Sequence, residues 1–137
     1  MVALEDTAEE LIALFTAFGA VNQLNALGTL TSTGTNALPD PTVQAYNSAT
    51  LSTSGQVPFT LPQPAQGKKL RLQLIQDSTG SRTASFATSG LAGGGALQWV
   101  GSAAPTLTTT GTHADILEWE CFDGANWVGS VAKANVH

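Results

Sequence analysis

Charge is what this sequence has least of. Only 11% of its 137 residues are Asp, Glu, Lys or Arg, against roughly 25% in ordinary soluble domains. The hydrophobic share is a normal 42%, so the solvated surface must be built from Thr, Ser, Asn, Gln and Gly. Such a surface suits β-rich proteins, because Thr tolerates a pleated, half-exposed face. It also suits proteins whose outer faces are covered by neighbours, since charge is depleted at interface cores. Basic residues are the scarcest: five in all, with Lys68, Lys69 and Arg71 as their only cluster, and a net charge of −5. A nucleic-acid partner needs a basic face that displaces phosphate counterions, and this chain offers none. A single cysteine, Cys121, excludes an internal disulfide and any multi-cysteine zinc site. The longest apolar run, 11–21, is interrupted by Thr16 and Gly19. It is too short to cross a bilayer, and no basic segment precedes it as in a signal peptide. The expectation is a soluble protein made in the cytoplasm, with no membrane partner, and one domain's worth of chain.

What is present falls into two parts, 1–56 and 57–137. The first opens on EDTAEELIALFTAFG. Thr7 is placed to N-cap a helix, with Glu10 three residues on as a capping box. Glu9 and Glu10 favour the positive end of the helix dipole. Leu11, Leu14, Phe15 and Phe18 follow the i, i+3, i+4, i+7 stripe, and Gly19 is a natural stop. A helix of about three turns is marginal alone, so this stripe must dock on the body or on another subunit. These four residues are the candidate interface. From 22 to 56 the text becomes rich in Thr, Ser, Asn and Gly, with Pro39 and Pro41 bracketing Asp40. It reads as an extended arm with short strand pieces near 29–32 and 49–53; long segments of this kind usually carry function or are disordered.

The second part reads as all-β, with strands at 57–61, 69–76, 83–88, 98–100, 106–109, 114–122 and 126–132. Their separators are turn formers: PQPAQG, DSTGS, GLAGGG, GSAAP, TGT and FDGAN. Short strands with regular turns argue for a sandwich or barrel. Leu70, Leu72 and Leu74 alternate with Arg71, Gln73 and Ile75, and Leu117, Trp119 and Cys121 alternate with Glu118, Glu120 and Phe122. Both runs have the period of two. The expected fold is mainly β: a single antiparallel β-sandwich of jelly-roll or Ig type, with a short N-terminal helix and an extended arm.

An ordered set of residues in this part carries a resemblance. Gln76, Asp77, Gly80, Arg82 and Thr83 form a strand end, a turn and an Arg-Thr pair; Trp99, Gly101, Pro105, Leu107 and Thr108 follow; then comes DGANW, 123–127. The pattern, over about 58–131, resembles a β-sandwich module of tailed-bacteriophage virion proteins, of head decoration (cement) or tail-fibre type. The resemblance implies a structural protein of the virion rather than an enzyme, without cofactor. Its partners would be its own copies, as a homotrimer, and the major capsid protein or other virion proteins. The shortness of the chain favours a decoration protein that binds and stabilises the head shell. The alternative is a small tail-fibre or tail-tip module that binds host glycan, with Tyr46, Trp99 and Trp127 as stacking aromatics.

Local chemistry accounts for the same residues. Asp77 can satisfy the amides of its own turn and pair with Arg82, and Asp123-Gly124 reads as a hairpin turn in which Gly supplies positive φ. Trp127 then returns beside the long strand, where an aromatic can face it. Catalytic and metal readings are weak. His113 and Asp115 share one strand face and could hold a metal only loosely. Cys121 lacks a histidine partner, and GLAGGGA lacks the Lys-Ser/Thr of a phosphate loop. Glu118 and Glu120 stand side by side on one strand, whereas glycosidase carboxylates flank a bond from opposed positions.

Overall fold

The computed structural model describes residues 24–41, 44–88 and 96–137. The chain is mainly β, and no helix occurs among the described residues. The expected helix and its stripe Leu11, Leu14, Phe15 and Phe18 lie outside them. Among the described residues nine strands run in order: β1 Leu24–Leu30, β2 Asn36–Ala37, β3 Gln44–Leu51, β4 Val57–Leu61, β5 Lys69–Gln76, β6 Ala84–Thr88, β7 Ala96–Trp99, β8 Ala114–Glu120 and β9 Asn126–Val136. They form a large sheet, β1-β3-β5-β8-β9-β7, and a small one, β2-β4-β6.

The first six strands alternate between the two sheets. β1, β3 and β5 lie in the large sheet, each parallel to the next. β2, β4 and β6 lie in the small sheet, also parallel. A parallel neighbour requires a crossover, and here each crossover contains a strand of the opposite sheet. The chain thus winds in three coils. Tyr46 lies beside Leu24, and Arg71 beside Tyr46; Phe59 lies beside Asn36, and Phe86 beside Phe59. The hairpin of β8 and β9 then adds to β5 through antiparallel ladders, and β7 closes that edge parallel to β9.

The antiparallel jelly-roll or Ig arrangement expected from sequence is therefore corrected to one mixed and one parallel sheet. The turn formers between 51 and 84 do not close hairpins; they carry the chain from one sheet to the other. The segment expected as an arm, 22–56, supplies β1, β2 and β3, and the boundary drawn after 56 is bridged by the β3–β5 and β2–β4 ladders. Its Thr and Ser residues suit strands that are half exposed. The strand expected at 106–109 is an extended connection instead, in which the Thr108 amide donates to Asp115 Oδ2 at 2.6 Å.

One core joins both sheets. Leu51, Leu70, Leu72, Leu74, Leu117, Trp119 and Trp127 of the large sheet share it with Val57, Phe59 and Leu61 of the small one. Phe86 of β6 bridges them, its ring 5.3 Å from Trp119 and 5.8 Å from Phe59. The period of two read from β5 and β8 sorts these residues inward, as the alternating burial of β5 shows. Between coils a polar rung runs from the exposed Asn25, whose Nδ2 donates to Asn47 Oδ1 at 2.9 Å, to Asn47 Nδ2, which donates to the Arg71 carbonyl at 3.2 Å. Asn47 is buried, so this rung pairs a side-chain amide that would otherwise be desolvated alone.

Candidate functional site

Most polar residues singled out from sequence are occupied in holding turns. The Asp77 carboxylate accepts from the amides of Thr79 and Gly80, from Ser52 Oγ, and from Arg82 Nε and Nη2, the last at 2.8 Å. The Arg82 guanidinium is the main reason its pKa is lowered, to about 2. Gln76 closes the same turn: Oε1 accepts from the Arg82 amide at 2.7 Å and Nε2 donates to the Arg82 carbonyl at 3.0 Å. The expected ion pair is present, on a crossover between sheets rather than on a hairpin. In the β8–β9 hairpin the Asp123 carboxylate accepts from the Asn126 side chain and from the amides of Ala125 and Asn126. These bonds, that of the Asn126 side chain foremost, lower its pKa to about 2. Gly124 takes φ 79° there.

The other candidates are also accounted for. Asp115 is buried and accepts from the amides of Thr108 and Asn135, which ties the 106–109 connection to the end of β9. His113 Nδ1 lies 2.6 Å from Asn135 Oδ1, and its ring stacks on His137 at 4.8 Å. Among the described residues no group of three His, Cys, Asp or Glu could hold a metal ion. Cys121 is buried beside the core, as its strand pattern implied. Trp127 is fully buried, its Nε1 donating to the Pro62 carbonyl at 2.7 Å. It faces no aromatic across the hairpin; Trp119 stands opposite Gly129. Trp99 packs edge-on against Trp119 at 5.7 Å. Trp127 is thus enclosed in the core, while Trp99 is partly buried.

The residues that remain form a cluster on the outer face of the large sheet. Neighbouring strands place Tyr46, Arg71, Glu118 and Ser130 in one row and Lys69, Glu120 and Val128 in the next. Lys69 Nζ lies 3.1 Å from Glu118 Oε1 and 2.9 Å from Glu120 Oε1. Arg71 Nε lies 2.6 Å from Glu118 Oε2, a close ion pair that is off-line for a hydrogen bond. The Arg71 guanidinium also sits 5.8 Å from the centre of the Tyr46 ring. The glutamates, Glu120 foremost, raise the Lys69 pKa. Partial burial pushes Glu118 up, but its bonds with Glu120 and Lys69 and the charge of Arg71 outweigh this and hold it below the ordinary value.

Two large apolar side chains stand out of this face: Phe122, 70% exposed, and Val100, 69% exposed. Phe122 separates two shallow clefts. One, of about 250 Å³, is lined by Val100, Glu118, Glu120, Phe122, Val128 and Ser130. The other, of about 230 Å³, includes Lys68 and Lys69 in its lining. Sequence reading identified the paired glutamates but passed over Phe122, whose only signal was a large aromatic on the wet side of the strand pattern. Among the described residues no helix is long and apolar enough to cross a membrane. Comparison with protein-family models, with curated proteins and with solved structures found no match.

Proposed function

We propose that this chain is a structural protein of a tailed-bacteriophage virion, a decoration protein that binds the head shell and stabilises it. In this reading the two sheets form a compact sandwich whose outer faces are contact surfaces, and the protein acts without cofactor or catalysis. The observation that carries the reading is the outer face of the small sheet. Ala37, Pro58, Thr60, Ser85 and Ala87 point away from the core and none is charged. A flat face of small uncharged side chains favours close packing against a neighbour, because little hydration is lost when it is covered. The low overall charge of the chain supports the same reading. Partners are further copies, as a homotrimer, and the major capsid protein, with the stripe Leu11, Leu14, Phe15 and Phe18 as an additional contact.

The glycan-binding alternative loses Trp127, which is fully buried; Trp99 is partly buried, and the Tyr46 ring faces Arg71. The test is binding of the purified protein to empty heads of the phage that encodes it. Saturable binding that Ala87→Glu or Leu14→Asp abolishes, with the β-body still folded, supports decoration. Glycan-array binding that depends on Tyr46, without head binding, supports the fibre reading instead.

A further inference from the structure

We propose that the cleft between Val100 and Phe122 is a docking site for a lysine or arginine side chain presented by an extended segment of a protein partner. Its walls are apolar, from Val100, Phe122 and Val128, and its polar lining is Glu118, Glu120 and Ser130. Among the described residues no cation lines it; Lys69, which pairs with both glutamates, contributes to the second cleft. A long cationic side chain matches this combination: its methylene stem lies along apolar surface while its charged head meets carboxylate. Glu120 has room for such a contact, since its side chain is 34% exposed and its pairing with Lys69 uses Oε1. Val100 and Phe122 are the two most exposed large apolar side chains among the described residues, and a docked segment would cover them.

Charge complementarity points to a different protein as the occupant. Of the five basic residues, Lys68 pairs with Asp40, Lys69 with both glutamates, Arg71 with Glu118 and Arg82 with Asp77. A second copy could offer Lys133 alone. Glu120 lines both clefts, so a segment that crosses Phe122 keeps this carboxylate within reach on either side. This names the partner chemistry for the outer face of the large sheet. It deepens the decoration reading without depending on it.

The test is an amide-resolved NMR titration at low salt with two capped tripeptides, alanine–lysine–alanine and alanine–norleucine–alanine, which differ only in the ammonium group. The lysine peptide is expected to shift the amides of Val100, Phe122, Val128 and Ser130 and to bind about tenfold more tightly than the norleucine peptide, as one charge-assisted hydrogen bond implies. Glu120→Gln should erase that preference, and Phe122→Ala should weaken both peptides alike; the same spectra report that each variant is folded. Equal binding of the two peptides, shifts elsewhere on the surface, or a preference that survives Glu120→Gln overturns the proposal. So does concentration-dependent shifting of these amides without peptide that Lys133→Gln abolishes, because the occupant is then a second copy. Head binding is read separately, so failure here leaves the decoration reading intact, and the reverse also holds.

Discussion

Gly129 lies directly beneath the indole of Trp119. A Cβ at that position would stand 2.6 Å from both Cδ1 and Nε1 of Trp119 and 2.7 Å from Cζ3 of Trp99. The two indoles meet edge-on above β9 because nothing rises from the strand between them. Gly129→Ala must move either the fully buried Trp119 ring or the partly buried Trp99 ring, and overpacking of this kind costs about 1–3 kcal/mol. Urea unfolding should show the loss as a lower midpoint. An unchanged midpoint would mean the rings are not held where the structure places them.

Acid should loosen the crossover turn. The folded-state pKa values of Asp77 and Asp123 are both about 2, below the ordinary 3.8. A carboxylate with a depressed pKa contributes stability that is complete above its unfolded value and lost as pH falls through the folded one. The window is therefore from about pH 4 down to about pH 2. Asp77→Asn should reduce the fall in melting temperature across that window, and adding Asp123→Asn should reduce it further. Parallel melting curves for wild type and double variant would contradict this assignment.

Asp115 ties two distant backbone amides, those of Thr108 and Asn135, from a buried position. Asp115→Ala leaves both without their acceptor. The expected cost is about 2–4 kcal/mol, from two hydrogen bonds to a charged group at about 1–3 kcal/mol each, less partial rescue by water. Hydrogen exchange should show the loss locally, as faster exchange of the Thr108 and Asn135 amides.

The Asn25–Asn47–Arg71 rung links successive coils. Asn47→Ala removes the bonds to the Arg71 carbonyl and the Asn25 side chain from a buried position, and should cost about 1–3 kcal/mol in chemical denaturation. A neutral outcome would show that the rung is not part of what aligns β1, β3 and β5.

Strand interiors were legible in the sequence wherever one face is buried. The alternation of Leu70, Leu72 and Leu74 with Arg71 and Gln73 fixed β5, and Val57–Leu61 was bounded by its own turn formers. The Asp77–Arg82 pair and the Asp123 turn were also legible, because they involve residues close along the chain. Strand partners were not. PQPAQG reads alike whether the next strand pairs with the last or crosses to the other sheet, so the sequence does not say which sheet β5 joins. Of β1 and β3 only the ends were legible, as strand pieces near 29–32 and 49–53, because their residues are mostly Thr, Ser, Ala and Asn and the buried position between Ala45 and Ala49 is Asn47. That weakens the apolar period that marks a strand. The cluster around Phe122 assembles from β5, β7, β8 and β9 and their flanking residues, and no short spacing announces it.

The central claim is that the chain works as a surface on a larger assembly, and a density map of the intact particle tests it most directly. A β-body fitting this fold on the outside of the head shell, with the uncharged face Ala37, Pro58, Thr60, Ser85 and Ala87 against a neighbouring subunit, is the result predicted. Heads that carry no such density, or a body whose small-sheet face is turned to solvent, would contradict it.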